Sequence, residues 1–326
     1  MKEIGSFIEL ELPQGREYYS GEENIARLNS GRAAIYHACR VLNLSTLWLP
    51  YYQCGIVREF LTRKGIMLKY YEIASDFTPL DLTPSEDEAV LLVNYFGIFS
   101  EKLRSLCTRY KNVIVDHSQA FFTSPIPGVQ NVYSPRKFFG VPDGAYLIGE
   151  NAHCYVNDYP QSYSSDTASF LMERIEYGCE GKAYTSRQKN EERIDKEDVM
   201  RMSSLTRTLL DSLDYASVAH KRRVNYQKAC DMFSSLNRIA PLLLSETSSQ
   251  DVPMVYPLVV EDESLLDKLL RAKHFQGRWW QYLTQERPCD SFSHYLSRYM
   301  LPITIDQRYS PSDIEYIHHI ITDHNE

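Results

Sequence analysis

The chain has 326 residues, is 43% hydrophobic and 24% charged, and carries a formal net charge of −8. That length buries a substantial core in one large or two moderate domains, and the acidic balance argues against a general nucleic-acid binder. No apolar run approaches the ~20 residues of a membrane span, so neither nucleic acid nor a membrane is an expected partner.

From the N-terminus, Asn29-Ser30-Gly31 leads into a helix over 32–40, capped by Ser30 or Asn29. Thr46-Leu47-Trp48-Leu49 is a short strand ended by Pro50; 55–64 reads as a helix and 67–71 as a strand. Ala89 to Val93 is a buried-type strand, 101–110 a helix, and Val113-Ile114-Val115 another buried strand. Such alternation predicts an α/β fold, a large domain with a mostly parallel sheet flanked by helices.

Segment 155–200 is polar and poorly periodic, and reads as mobile or partner-covered. Leu205, Leu209, Leu213 and Ala216 recur at helical spacing and predict one long helix from about Ser203 to Ser234, bridging two domains. On it, Lys221-Arg222-Arg223 reads as a solvated basic face. A strand over 255–260, a helix over 264–274 and a last helix over 311–322, capped by Ser310 or Ser312, give a smaller α+β domain. The expected division is a large domain with an N-terminal arm at 1–215 and a small one at 216–326. Seven scattered cysteines, never in a C-x-x-C pair, fit reduced thiols rather than disulfides or zinc. Met1 to Gly5 opens no signal-peptide core, so a cytoplasmic protein is expected.

The chemistry concentrates in Val113-Ile114-Val115-Asp116-His117-Ser118-Gln119-Ala120 and in Tyr133-Ser134-Pro135-Arg136-Lys137. An apolar strand delivers the Asp116 carboxylate to its end, and Lys137 follows in a turn-rich segment. These parts suit pyridoxal 5'-phosphate (PLP), which needs an acid to keep its ring nitrogen protonated, a lysine to carry it as an imine, and donors for its phosphate. Ligands of parallel sheets sit beyond the carboxyl ends of the strands; Asn94 and Asp116 both follow strands and are expected to share one crevice. Lys137 is flanked by Phe138-Phe139, Gly140, Pro142 and Gly144, an apolar, tightly turned setting that suits an amine nucleophile and proton carrier. Gln119 is placed to hydrogen-bond the ring hydroxyl oxygen. Ser30-Gly31-Arg32 opens a helix whose N–H groups and dipole favour phosphate, with Arg32 adding a charge-assisted fork. Ser134 and Arg136 are further phosphate candidates.

In these motifs the chain resembles the DegT/DnrJ/EryC1/StrS family of PLP-dependent sugar aminotransferases, of the aspartate aminotransferase fold (fold type I). Asn29-Ser30-Gly31-Arg32-Ala33-Ala34 is similar to the family's N-S-G-T-A-A, Asp116-His117-Ser118-Gln119-Ala120 to its D-A-A-Q-A, and Pro135-Arg136-Lys137 to its P-T-K. Asp143-Gly144-Ala145, Arg201-Met202-Ser203, Leu301-Pro302-Ile303 and Ser312-Asp313-Ile314 continue the likeness in order, from about residue 25 to 321. The resemblance implies a PLP-binding domain, a smaller C-terminal domain and a homodimer with sites at the interface. It also implies amino transfer, usually from glutamate, onto a nucleotide-linked keto sugar. Lys137 would carry the cofactor, with Asp116 on its ring nitrogen.

The chain departs from the family at several supporting positions. Arg32 stands where the family has threonine, Val132 where it has a phosphate serine, and Asn94 where it has the histidine of H-L-Y-G. Cys54 aligns with the ring-stacking aromatic, leaving Tyr51 or Tyr52 as the candidate stack, and Val199 aligns with the asparagine that reaches the partner's phosphate. Two alternatives stay open: a PLP enzyme of this fold with other chemistry, such as dehydration or a non-sugar acceptor, and a non-catalytic relative that binds a sugar nucleotide.

Overall fold

The computed structural model describes residues 4–323; Met1–Glu3 and His324–Glu326, the outer ends of the two expected domains and part of the segment read for a leader, lie outside the described residues. Eight strands form one sheet: β1 (Ile25–Leu28), β2 (Thr46–Pro50), β3 (Met67–Ile73), β4 (Pro79–Leu80), β5 (Ala89–Val93), β6 (Val113–Asp116), β7 (Gln130–Tyr133) and β8 (Ala145–Ile148). Their spatial order is β1-β8-β7-β6-β5-β2-β3-β4. The inner five, β7 to β3, pair in parallel, while β4 at one edge pairs antiparallel with β3, and β8 at the other pairs antiparallel with both β7 and β1. Every residue of β5 and β6 is buried, which is why both read as continuous apolar runs.

The order reverses between β2 and β5, so chain crossings leave in opposite directions there and open a crevice at the carboxyl ends. Register fixes what lines it: Val93 is opposite Asp116, and Asp116 is opposite Val132. Val132, where the family has its phosphate serine, is therefore inside the sheet and fully buried.

Helices α1 (Gly31–Leu42), α2 (Gly55–Arg63) and α3 (Ser100–Cys107) join the strands. The polar segment 155–200 is not irregular. It contains α4 (Ser169–Tyr177) and α5 (Lys182–Lys196), which pack on each other. Its helical period was hidden because α4 buries no residue in the single chain and α5 buries only Ala183, Asn190 and Ile194.

The predicted long helix is broken into α6 (Ser204–Asp211) and α7 (Tyr215–Phe233). The apolar spacing continues through the break, but Asp214 caps α7 by accepting a hydrogen bond from Ser217 N at 2.9 Å. Ser203 caps α6 in the same way through Thr206 N, at 3.2 Å. The C-terminal part adds α8 (Ala240–Glu246), β9 (Val255–Val259), α9 (Leu265–Arg271), α10 (Leu283–Glu286), α11 (Phe292–Tyr299), β10 (Met300–Thr304) and α12 (Pro311–Thr322). β9 and β10 form a separate antiparallel pair. Ser310 caps α12 in a capping box with Asp313. Among the described residues no helix is long and apolar enough to cross a membrane.

Lys221 and Arg223 are exposed, but Arg222 between them is 2% exposed, so the expected solvated face is only partly one. Its guanidinium lies 4.4 Å from the Phe138 ring centre and donates to Gln307 Oε1 at 2.9 Å and to the Met254 carbonyl at 3.0 Å. Burial lowers its pKa to about 10, against the pull of Asp306. Arg222→Met is expected to strand these acceptors and cost about 1–3 kcal/mol, read as a lower urea midpoint at unchanged slope.

Candidate active site

Asp116 ends β6 with its carboxylate buried. Oδ1 accepts from Ser118 N at 2.8 Å, and Oδ2 faces the Gln53 amide at 3.4 Å. Burial raises its pKa above the ordinary carboxylate range, outweighing Ser118, Gln53 and the charge of Lys137. A buried carboxylate of this kind is stabilised by a cation placed against it, and that is what a protonated ring nitrogen supplies.

Gln119 is also buried, and its Oε1 accepts from Phe96 N at 2.7 Å. The oxygen being spent, the amide presents Nε2 as donor, the polarity needed against a ring hydroxyl oxygen. Gly97 makes this approach possible. It sits at φ +78°, and a Cβ there would come 2.5 Å from the Gln119 carbonyl oxygen.

Three chain segments meet at the opposite end. A Cβ on Gly31 would come 3.4 Å from Ser118 Oγ and 4.0 Å from Ser134 Cβ. The first turn of α1 therefore faces the loops that follow β6 and β7. Ser30 caps that turn through Ala33 N at 3.4 Å, and the Ser134 hydroxyl caps nothing in the turn that follows it. Helix N–H groups and the Ser118 and Ser134 side chains come together there, a donor set that suits a phosphate. The parts present fit PLP at its ring and phosphate ends.

Lys137 lies in the short turn Pro135–Lys137. Its neighbours Phe138 and Phe139 are buried, but the lysine side chain itself is exposed, contrary to the apolar setting expected for it. The aromatic side chains turn inward against Phe121 and Tyr215, and this leaves the lysine outward at the crevice rim. Arg136 pairs with Glu191 of α5. Burial works to raise the Glu191 carboxyl, but Arg136, Lys137 and Arg187 together hold it below the ordinary range. Arg136 is thus engaged with a carboxylate rather than free for phosphate.

Three other expected contacts are not made as predicted. The Arg32 guanidinium turns away from the α1 N-terminus, donating to Asp195 Oδ1 at 2.8 Å and to the Ile194 carbonyl. Tyr52 is wholly buried, packed edge-on against Trp280 at 4.5 Å, with no hydrogen-bond partner for its hydroxyl among the described residues. Tyr51 stacks on Tyr70 at 5.2 Å beneath the Arg287 guanidinium. Cys54 is exposed at the start of α2.

Asn94 follows β5 as expected but spends its side chain inside the protein. Its Nδ2 faces Ser100 Oγ at 3.2 Å, His117 Nδ1 at 3.3 Å and Thr123 Oγ1 at 3.4 Å, and Oδ1 accepts from Phe99 N at 3.2 Å. His117 Nε2 meets Asn131 Oδ1 at 3.2 Å. A buried polar side chain takes the partners that satisfy it, and here those lie in the core.

Burial lowers the His117 pKa to about 3 from an ordinary 6.5. The unfolded chain therefore binds a proton that the folded one refuses across this window, and stability is lost as pH falls from about 6.5 toward 3. The expected result is a urea midpoint that drops between pH 7 and pH 5, with a smaller drop in His117→Gln.

Sequence reasoning missed Gln53, Ser118 and Glu191. Gln53 was findable, since it lies just past β2 at the point where strand order reverses. Ser118 lay within the Asp116–Gln119 motif. Glu191 carried no local signal, because it reaches Arg136 from 55 residues away.

No family model and no curated protein matches this chain. Solved structures do match its fold. A DegT DnrJ EryC1 StrS aminotransferase from Brucella abortus aligns over 93% of this chain and 86% of its own, with TM-score 0.60 and 13% identity. NtdA from Bacillus subtilis, solved with bound cofactor PMP, aligns over 94% and 75%, with TM-score 0.60 and 14% identity. The sugar aminotransferase CalS13 from Micromonospora echinospora aligns over 92% and 87%, with TM-score 0.57 and 14% identity. The chain has the fold of these aminotransferases, PLP fold type I, along nearly its whole length.

Proposed function

We propose that this protein is a PLP-dependent aminotransferase that moves an amino group from an amino acid such as glutamate to a nucleotide-linked keto sugar, in polysaccharide or amino-sugar biosynthesis. One observation supports the reading most: buried Asp116 ends β6 within electrostatic reach of Lys137, while its neighbour Ser118 lies against Gly31 at the start of α1. The neighbours' fold and the PMP held by NtdA support it. All seven cysteines are unpaired, which supports a cytoplasmic setting, and we propose a homodimer.

When bound, PLP supplies an electron sink that stabilises negative charge at the amino-bearing carbon. The chain does the rest. Asp116 would face the ring nitrogen and favour its protonated form by charge. Gln119 would donate to the ring oxygen, and Ser30, Gly31, Ser118 and Ser134 would hold the phosphate. Lys137 Nζ would hold the cofactor and, when free, take and return a proton at the substrate's amino-bearing carbon. Exposure of Lys137 at the rim leaves room for the substrate to reach it.

The test is a spectral titration. Protein supplied with PLP is expected to turn yellow, L-glutamate to shift the absorption to that of the aminated cofactor, and a nucleotide keto sugar to reverse it. A colourless protein indifferent to PLP sinks the reading. That outcome would favour a sugar-nucleotide-binding relative without catalysis.

A further inference from the structure

We propose that Gln53 is a positioning residue for Asp116: from just past the end of β2 its amide fixes the plane of the Asp116 carboxylate at the end of β6, and Tyr282 of the C-terminal part holds Gln53 in that place. This role rests on the cofactor reading above, in which Asp116 would face the ring nitrogen. In the sheet, β5 separates β2 from β6, so Gln53 arrives from across the point where strand order reverses. It is buried, and its Nε2 stands 3.4 Å from Asp116 Oδ2, while Ser118 N donates to Oδ1 at 2.8 Å. Each carboxylate oxygen thus has its own donor, and the two donors come from different strand ends. A carboxylate held at both oxygens keeps one orientation, and its remaining acceptor capacity is left for a cation.

The backbone that carries Gln53 is itself pinned. Its N–H donates to the Tyr51 carbonyl at 2.8 Å, the Tyr95 hydroxyl donates to the Tyr52 carbonyl at 2.8 Å, and the Tyr282 hydroxyl donates to the Gln53 carbonyl. Tyr282 is packed on α2. A Cβ on Gly55 would come 3.3 Å from its ring, and the Arg58 guanidinium lies 4.6 Å from its ring centre. Arg58 in turn donates to both carboxylate oxygens of Glu286 in α10, at 2.7 and 2.8 Å. A residue 229 positions after Gln53 therefore reaches Asp116 through one intermediate.

The amide also selects the charge of its partner. Nε2 can only donate, so it favours the carboxylate over the protonated acid. Burial pushes the Asp116 carboxyl up, and Ser118, Gln53 and Lys137 work against it. The Tyr95 hydroxyl, after β5, lies within electrostatic reach too, and burial keeps it protonated. His117, next in sequence, is kept neutral by burial. Of these groups, Gln53 is the one whose replacement leaves both the Asp116 loop and Lys137 intact.

Titration of the Asp116 carboxyl by carbon-13 NMR of aspartate-labelled protein without cofactor, assigned by its loss in Asp116→Asn, tests this. Gln53→Met keeps the length and loses the donor; it is expected to raise the midpoint by about one pH unit, a tenfold change in proton affinity. Gln53→Glu sets a second carboxylate there and is expected to raise it further. Tyr282→Phe is expected to raise it in the same direction by less. An unchanged midpoint in Gln53→Met, or in Gln53→Glu should the methionine variant not fold, overturns the role of Gln53. An unchanged midpoint in Tyr282→Phe overturns the part given to Tyr282. In protein that has bound PLP, Gln53→Met is expected to slow the saturated glutamate half-reaction about tenfold at an unchanged half-saturating concentration. An unchanged rate there overturns the link to the ring nitrogen. A wild type that ignores PLP overturns the cofactor reading and the ring-facing role with it, while the cofactor-free titration still decides the contact between Gln53 and Asp116.

Discussion

Lys137→Ala is expected to lose the visible absorption of lysine-bound cofactor and to slow the glutamate half-reaction by about 10³-fold or more, since both the anchoring amine and the proton carrier are removed. The loss should not come from unfolding. The Lys137 side chain is exposed and forms no hydrogen bond among the described residues, and the turn is held by backbone hydrogen bonds to the Ser134 and Pro135 carbonyls, one of them from Lys137 N itself. Its thermal midpoint without cofactor should stay close to that of wild type. Adding a small primary amine should recover part of the rate if proton transfer is the missing step. A variant that keeps the wild-type absorption would remove Lys137 from the site.

Asp116→Asn is expected to separate cofactor binding from turnover. In the proposed phosphate end, Ser30, Gly31 and Ser134 form no hydrogen bond with Asp116, and asparagine keeps an Oδ1 to accept from Ser118 N, so PLP should still bind. The half-reaction should fall about 10²–10³-fold, because a neutral amide no longer keeps the ring nitrogen cationic. Without cofactor the same change should be neutral or stabilising, because burial already raises the Asp116 pKa and the amide has no charge to desolvate. This opposition of sign, more stable and less active, distinguishes a carboxylate kept for chemistry from one kept for folding. Unchanged half-reaction rates would reject the role given to Asp116.

The residues that were legible in the sequence are those set by local pattern. The runs of β5 and β6 showed themselves because a strand buried on both faces is apolar throughout, and Asp116 stood out as the first charge after one. α12 was readable from its cap and its Pro at the first position. What failed was whatever depends on partners distant in sequence. Arg32 and Arg136 sit beside phosphate-type motifs, yet each is claimed by a carboxylate of α5. Asn94 stands at a strand end, but its four contacts are all internal. Tyr52 was assigned a stack because it lies near the right strand, while Trp280, far along the chain, holds its ring edge-on. α4 and α5 were unreadable for another reason: α4 leaves Met172 and Ile175 exposed and α5 buries only two apolar residues, Ala183 and Ile194, so neither shows a full apolar stripe.

The Phe138 carbonyl accepts a hydrogen bond from Gln307 Nε2 at 2.8 Å, and the Phe138 ring lies under Arg222. The turn bearing Lys137 is thus clamped by a residue translated 169 positions after Phe138. On the ribosome, the sheet and its crevice are complete in sequence long before this clamp emerges. The hydrogen bond from Gln307 can therefore reach the turn bearing Lys137 only after the whole eight-stranded sheet has been translated.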